Sequence, residues 1–226
     1  IHTFSHQRKI AACVIPKSDE KNVFFCLGIY NYRKITMNTP SAMQCPLCEG
    51  RLNTYTVFKE ETFLQCEQCF SVIRHPQHWL EGEEEKIRYE LHENDVSDKH
   101  YRRFVAPVVE TVYAHHEPQD KGLDYGAGPG PVVAAMLTEK GYHISTYDPF
   151  YHPKPELLTQ TYNYIVCCEV MEHFHTPELE FTRLRELLAP GGSLICMTSL
   201  FHEGIDFKGW GYKNDDTHVF FYHARA

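Results

Sequence analysis

The stretch from Gly122 to Phe150 constrains this chain more than any other. Leu123, Asp124 and Tyr125 lead into a cluster of Gly126, Gly128 and Gly130, and Val132, Val133, Ala135, Met136 and Leu137 follow at helix-like spacing. The order reads as strand, tight turn, helix. Gly141 is placed to end the helix. Tyr142 to Tyr147 has the β-branched and aromatic content of a second strand, which Asp148 and Pro149 terminate. The unit is βαβ, and its second strand ends in a carboxylate.

In such a unit the glycines let a ligand lie against the backbone at the start of the helix, and the acid beyond the second strand can accept hydrogen bonds from a ribose. A nucleoside-containing cofactor follows as the first expectation. A dinucleotide fingerprint would place its third glycine at position 131, where this chain has Pro131 with Gly130 before it. That spacing argues against NAD. Asp124-x-Gly126-x-Gly128-x-Gly130 with Asp148 downstream instead resembles the S-adenosylmethionine (SAM) site of class I methyltransferases.

Further motifs extend the resemblance over roughly residues 85 to 222. Tyr162 to Cys168 reads as a buried strand and runs directly into Glu169-Val170-Met171-Glu172-His173. Thr176-Pro177-Glu178 supplies an N-cap, a first-turn proline and a first-turn acid. Phe181, Leu184, Leu187 and Leu188 follow at helical spacing, and Pro190-Gly191-Gly192 stops that helix before a strand over Ser193 to Thr198. The set is similar to the later methyltransferase motifs. It implies an α/β, Rossmann-like sheet, with donor contacts at Asp124, Gly126, Ala127, Gly128, Gly130, Asp148, Pro149, Cys168 and Glu169. A last helix and a two-strand hairpin are then expected beyond Ala226.

The lead-in Tyr89, His92, Asn94 and Tyr101 is similar to the YxxHxN stretch of several such families, which implies that Tyr89 or Tyr101 touches the methionine end of SAM. Phe104, Val105, Val108, Val109, Val112 and Tyr113 repeat at three and four within a largely helical region from Ile87 to Glu117. One departure stands out. Only Pro149 to Thr161 separates Asp148 from the next strand, where the family inserts a helix, a strand and a further helix, so this region is abbreviated.

Methyl transfer is an in-line displacement, and a base is needed only where the acceptor must lose a proton. Glu172 and His173 lie just past a strand end and are candidate catalytic groups, with His173 the first choice of base and His218 the second. Glu-x-x-Glu-His resembles the arrangement in ubiquinone-biosynthesis O-methyltransferases, which implies a divalent ion at Glu169, Glu172 and His173. The other reading of Glu172 and His173 is that they cap the following helix and pair with each other. The loop from Phe201 to His218 supplies Trp210, Tyr212 and His218 as candidate pocket walls. No Asn/Asp-Pro-Pro-Tyr motif follows the strand, which weakens methylation of a base amine.

The second strong signal is Cys45-Pro46-Leu47-Cys48 and Cys66-Glu67-Gln68-Cys69, two CxxC pairs 17 residues apart. Each turn puts two thiolates on one side of a knuckle, and two knuckles complete a tetrahedron, so a structural zinc ribbon is expected. Tyr55 to Phe58 and Thr62 to Gln65 read as its hairpin. So small a module depends on its metal. Three segments result: an extension over 1–40 with no motif, the ribbon over 41–76 and the methyltransferase domain over 77–226. In the first, Val23 to Tyr30 could form a short strand, and Cys13 and Cys26 lack CxxC partners. Residues 1–36 read as an extension of low functional importance.

Composition narrows the partners. Charged residues make up 23% and the net charge is -8, so no global field attracts phosphate backbones. Between residues 45 and 69 the cations Arg51 and Lys59 face Glu49, Glu60, Glu61 and Glu67. A small-molecule acceptor is therefore expected ahead of RNA, the alternative suggested by ribosomal-RNA methyltransferases that place a cysteine-rich module before the same fold. A non-catalytic ribbon scaffold is the third reading. Without an apolar run long enough to span a membrane, the expected compartment is the cytoplasm.

Overall fold

The computed structural model describes residues 15–16, 43–80, 82–90 and 95–226. The expected strand over Val23 to Tyr30, Cys13, Cys26, His92 and Asn94 lie outside the described residues. The strands are β1 (Ile15–Pro16), β2 (Leu52–Phe58), β3 (Glu61–Cys66), β4 (Val72–Arg74), β5 (Lys121–Tyr125), β6 (His143–Tyr147), β7 (Tyr162–Cys168), β8 (Leu188–Met197) and β9 (Phe220–Phe221). The α-helices are α1 (Glu83–Tyr89), α2 (Lys99–His115), α3 (Val132–Thr138) and α4 (Pro177–Leu187).

The larger sheet runs β1-β8-β7-β5-β6, with β5 to β8 parallel and β1 antiparallel on the edge at Ser193 and Leu194. β7 explains why its sequence shows no alternation. Tyr162, Ile165 and Cys167 pack into one core with Leu184 and Leu187 of α4, while Tyr164 and Val166 pack into another with Val105, Val108, Val109 and Val112 of α2. A strand covered on both faces is apolar throughout. Fully burying one such aliphatic side chain stabilises the fold by roughly 1.5–3 kcal/mol.

Two local expectations are corrected. Leu188-Ala189-Pro190-Gly191-Gly192 does not lie ahead of the strand but inside it: Tyr162 pairs with Leu188 and Tyr164 with Ser193. The intervening residues bulge out of the ladder, with Gly191 at φ 75. Thr176 stands at the N-cap of α4, yet its hydroxyl makes no capping bond there, and Pro177 at the first helical position sets the start. The abbreviated region after β6 holds a single 3₁₀ turn, Pro155–Thr159. β6 is consequently the edge of the sheet.

The smaller sheet runs β2-β3-β4-β9 and is antiparallel throughout. The hairpin expected between the CxxC pairs is β2 and β3, with β2 starting earlier, at Leu52, and β3 extended to Glu61 and Cys66. Its fourth strand comes from far away, since Val72 pairs with Phe221 and Ile73 with Phe220. One core carries Cys45, Leu47, Cys66 and Cys69 together with Tyr125, Ile165, Phe174 and Leu194. A second gathers Phe63, Val72, Phe201, Phe207 and Phe221, with Trp210 and Tyr212 packed against it. Among the described residues no helix is long and apolar enough to cross a membrane.

Candidate active site

β6 lies on one side of β5 and β7 on the other, so the strand order reverses at β5. In open parallel sheets ligands bind in the crevice at that reversal, beyond the carboxyl ends of the strands. A cleft of about 1520 Å³ opens there. Small-molecule sites usually occupy some 300–1,000 Å³, so this one has room for two ligands.

The loop after β5 forms its floor. Gly126 and Ala127 donate backbone N–H groups to the Tyr147 carbonyl at 2.8 and 3.1 Å, and Gly126 sits at φ 76. A Cβ on Gly126 would lie 2.6 Å from both Val170 methyl groups, so only glycine lets the loop pass. Asp148 ties this loop to the end of β6: Oδ2 accepts from Gly128 N–H at 2.9 Å, and Oδ1 accepts from Phe150 and Tyr151 N–H at 2.9 and 3.0 Å. A carboxylate offers about four lone-pair sites, so three are already engaged by backbone. Asp148 thus organises the turn as well as facing the cleft. Asp124 is buried and accepts from Ala134 N–H at 3.3 Å, and burial pushes its carboxyl up to about 7.

Both tyrosines of the lead-in line the cleft. Tyr101 lines the cleft with its hydroxyl held up in pKa by burial and by Cys168 and Glu169. Tyr89 also packs edge-on to His173 at 5.2 Å and donates to Glu85 at 2.8 Å. Gly130, Pro149, Cys168 and Glu169 also line the cleft, as do His173 and His218.

The opposite wall is assembled from three stretches. Glu172 is fully buried, and its Oε1 accepts a short hydrogen bond from the Tyr212 hydroxyl, which also meets Thr198 Oγ1 at 3.0 Å. Burial and the nearby Glu169 hold the Glu172 carboxyl well above the usual range. Its Oε2 is buried without a hydrogen-bond partner. His173 Nδ1 lies 2.9 Å from the Thr217 carbonyl and His218 Nδ1 lies 2.7 Å from the Tyr212 carbonyl. A carbonyl only accepts, so each Nδ1 carries a proton, and in the neutral imidazole the acceptor lone pair is then on Nε2. Glu172 and His173 thus reach toward the 212–218 segment. Glu172, His173 and His218 bring donor atoms within 4.8 Å of one another, a group in which His218 takes the place expected for Glu169.

The residues 97–226, more than half of the 226, match the family model for a methyltransferase domain. This chain belongs to the methyltransferase-domain family. No curated protein matches the sequence. One solved structure, coclaurine N-methyltransferase bound to N-methylheliamine and SAH, is similar at a TM-score of 0.33 and 16% identity, over 52% of this chain and 43% of that one. The chain thus aligns with less than half the length of that protein. The methyltransferase match begins just before α2 and takes in the glycine loop, Asp148, Glu172, His173 and His218.

Ahead of that matched region, the four cysteines converge. The sulfurs of Cys45, Cys48, Cys66 and Cys69 lie within 4.8 Å of one another, with Cys45 to Cys69 at 3.8 Å and Cys48 to Cys66 at 3.5 Å. Sulfurs at the corners of a tetrahedron with bonds of about 2.3 Å to zinc stand about 3.8 Å apart, so the cluster fits that ion. Disulfides would need about 2.05 Å. Hydrogen bonds from its neighbours, Cys45 first, pull the Cys48 thiol well below its ordinary value.

Two groups escaped the sequence reading. Arg74 is fully buried and reaches into the 213–218 segment. Tyr212 appeared only as a wall, whereas it is the partner of Glu172. A single arginine after a CxxC pair carries no sequence signal of such a reach.

Proposed function

We propose that the chain is a SAM-dependent methyltransferase acting on a small-molecule O or C acceptor, with a structural zinc ion at Cys45, Cys48, Cys66 and Cys69. The observation that supports it is the Gly128 N–H to Asp148 bond of 2.9 Å, which joins glycine loop and carboxylate at the strand-order reversal beneath a cleft of about 1520 Å³. The remaining acceptor capacity of Asp148 faces a ribose. Gly126 to Gly130 leave room for the amino-acid portion, and Tyr101 covers it. Such a site acts chiefly by placing donor and acceptor in line.

On the far wall Nε2 of His173 or His218 takes the proton from an acceptor hydroxyl or carbon acid, while Trp210 and Tyr212 flank the acceptor. Glu172, His173 and His218 also suit a divalent ion in donor chemistry, since Glu172 Oε2 is an unpartnered buried acceptor and both Nδ1 atoms are occupied elsewhere. An ion held there would supply positive charge that lowers the pKa of an acceptor hydroxyl. The net charge of -8 and the acidic 45–69 segment favour the small molecule over RNA. Free thiols at all described cysteines suit a reducing compartment, the cytoplasm.

Calorimetry with S-adenosylhomocysteine (SAH) tests the donor assignment: one-site binding is expected, abolished by Asp148→Ala. No heat with the wild-type protein would turn the reading to a non-catalytic scaffold. Radiolabel from methyl-tritiated SAM, incubated with fractionated cell extract, is expected in the small-molecule pool. Label in RNA would replace the acceptor class.

A further inference from the structure

The five carbonyls that matter in the 212–218 segment divide into two sets. Those of Tyr212 and Thr217 hold the imidazoles of His218 and His173 at 2.7 and 2.9 Å. Those of Lys213, Asp215 and His218 are held by one side chain: Arg74 donates from Nη2 to Lys213 O at 2.7 Å and to Asp215 O at 3.0 Å, and from Nε to His218 O at 3.1 Å. Its Nη1 meets Glu61 in a short ion pair. The guanidinium is wholly buried over the Phe63 ring at 5.2 Å.

Burying a charge is costly unless its hydrogen bonds are met. Here the planar fork of five N–H donors meets three loop carbonyls and a carboxylate at once, which a lysine's point charge cannot do. The backbone pins the same junction, since Arg74 N–H donates to Val219 O at 2.9 Å and Val219 N–H donates to Glu172 O at 2.9 Å. Lys213 adds a second anchor, with its ammonium 3.7 Å from the centre of the Phe58 ring. The segment bearing His218 therefore rests on β2, β3 and β4 of the cysteine module.

We propose that Arg74 is a positioning residue for the acceptor wall, and that the cysteine module serves as the bracket through which it sets the placement and Nδ1–H tautomer of His218. The proposal rests on the reading of His218 as an acceptor-side group, but its test needs no acceptor. The module's inward face is thereby committed to the enzyme's own loop.

The test compares full-length wild type with Arg74→Lys and Glu61→Gln, using ¹⁵N-labelled histidine spectra at a pH where imidazoles are neutral and SAH calorimetry on the same samples. His218→Gln assigns the His218 resonance. Wild type should show well-separated protonated Nδ1 and unprotonated Nε2 signals for His218. In Arg74→Lys these should move toward each other as the tautomers mix, with SAH affinity within about twofold of wild type, as expected of sites that share no partner. A residue that merely stabilised the module would lower the melting temperature and leave the His218 signals of the folded protein in place. Unchanged His218 signals in an SAH-binding Arg74→Lys protein overturn the proposal. If that variant fails to fold, Glu61→Gln decides, because Glu61 is part-exposed and its loss unties the Nη1 end of the Arg74 fork without emptying the core. Partial mixing supports the proposal and unaltered signals refute it. Absence of SAH binding in wild type would refute the methyltransferase reading and leave the histidine result standing.

Discussion

The two walls of the cleft, proposed above as its donor and acceptor sides, are built on opposite principles. Glycine loop, Asp124 and Asp148 all come from one βαβ unit of about thirty residues, and their hydrogen bonds are to backbone within it. The acceptor wall joins Glu172 and His173 after β7 to Tyr212–His218, and that segment is braced by Arg74, whose bond to the His218 carbonyl spans 144 residues of sequence. A local wall survives damage elsewhere; a non-local one inherits the stability of everything it leans on.

The largest test of that contrast is removal of the zinc proposed at the cysteine site. Structural zinc contributes roughly 10–16 kcal/mol in isolated zinc-finger peptides, so stripping the cysteine site should open the smaller sheet first. Hydrogen exchange should then show β2, β3 and β9 losing protection while β5 and β7 keep theirs. Simultaneous loss in both sheets would mean the walls are one cooperative unit.

Next comes Asp124. Its folded pKa of about 7 lies above the ordinary value of 3.8, so between those values the folded state holds the proton more tightly than the unfolded chain. Stability is full below pH 4 and falls as pH rises through 7, by about 4 kcal/mol in the limit. Asp124→Asn should abolish that slope in urea unfolding compared at pH 5 and pH 8. A slope unchanged by the substitution would place the titration elsewhere.

Gly126→Ala probes the donor wall alone. Its φ of 76 and the 2.6 Å approach of Val170 make an added methyl group cost roughly 1–3 kcal/mol. SAH affinity should fall about 5- to 150-fold, with the histidine spectrum unmoved; a moved spectrum would show the walls to be coupled. The smallest effect is expected from Arg51→Glu with Lys59→Glu, two surface charges on the cysteine module. Stability should change by about 0.5 kcal/mol or less, and SAH binding should not change. A loss of methyl transfer to RNA in this variant would revive the nucleic-acid reading.

The same contrast explains what could be read in advance. β7 falls on the expected residues, and the βαβ unit falls within one residue at its second strand, because period, glycine and proline act over a few positions. Cysteine spacing announced the four-sulfur cluster for the same reason. The bulge of Ala189 to Gly192 was hidden, since a Pro-Gly-Gly run ends a helix and kinks a strand alike. His218 was recognised as a candidate, yet its tie to Tyr212 and the role of Arg74 were not. Nothing near Arg74 distinguishes it from a surface cation until the fold brings the 213–218 carbonyls to it. The substitution of His218 for Glu169 in the Glu172–His173 group has the same origin.

The pairing of β4 with β9 has a consequence for how the molecule comes into being. Val72 waits for Phe221, and Ser71 Oγ waits for the His223 N–H at 3.1 Å, so a nascent chain emerges with its cysteine knuckles ready and their sheet one strand short. Contacts of such sequence separation form late. The local ladder of β5 and β6 can form as soon as residue 147 is made, whereas the smaller sheet is complete only once β9 docks on β4.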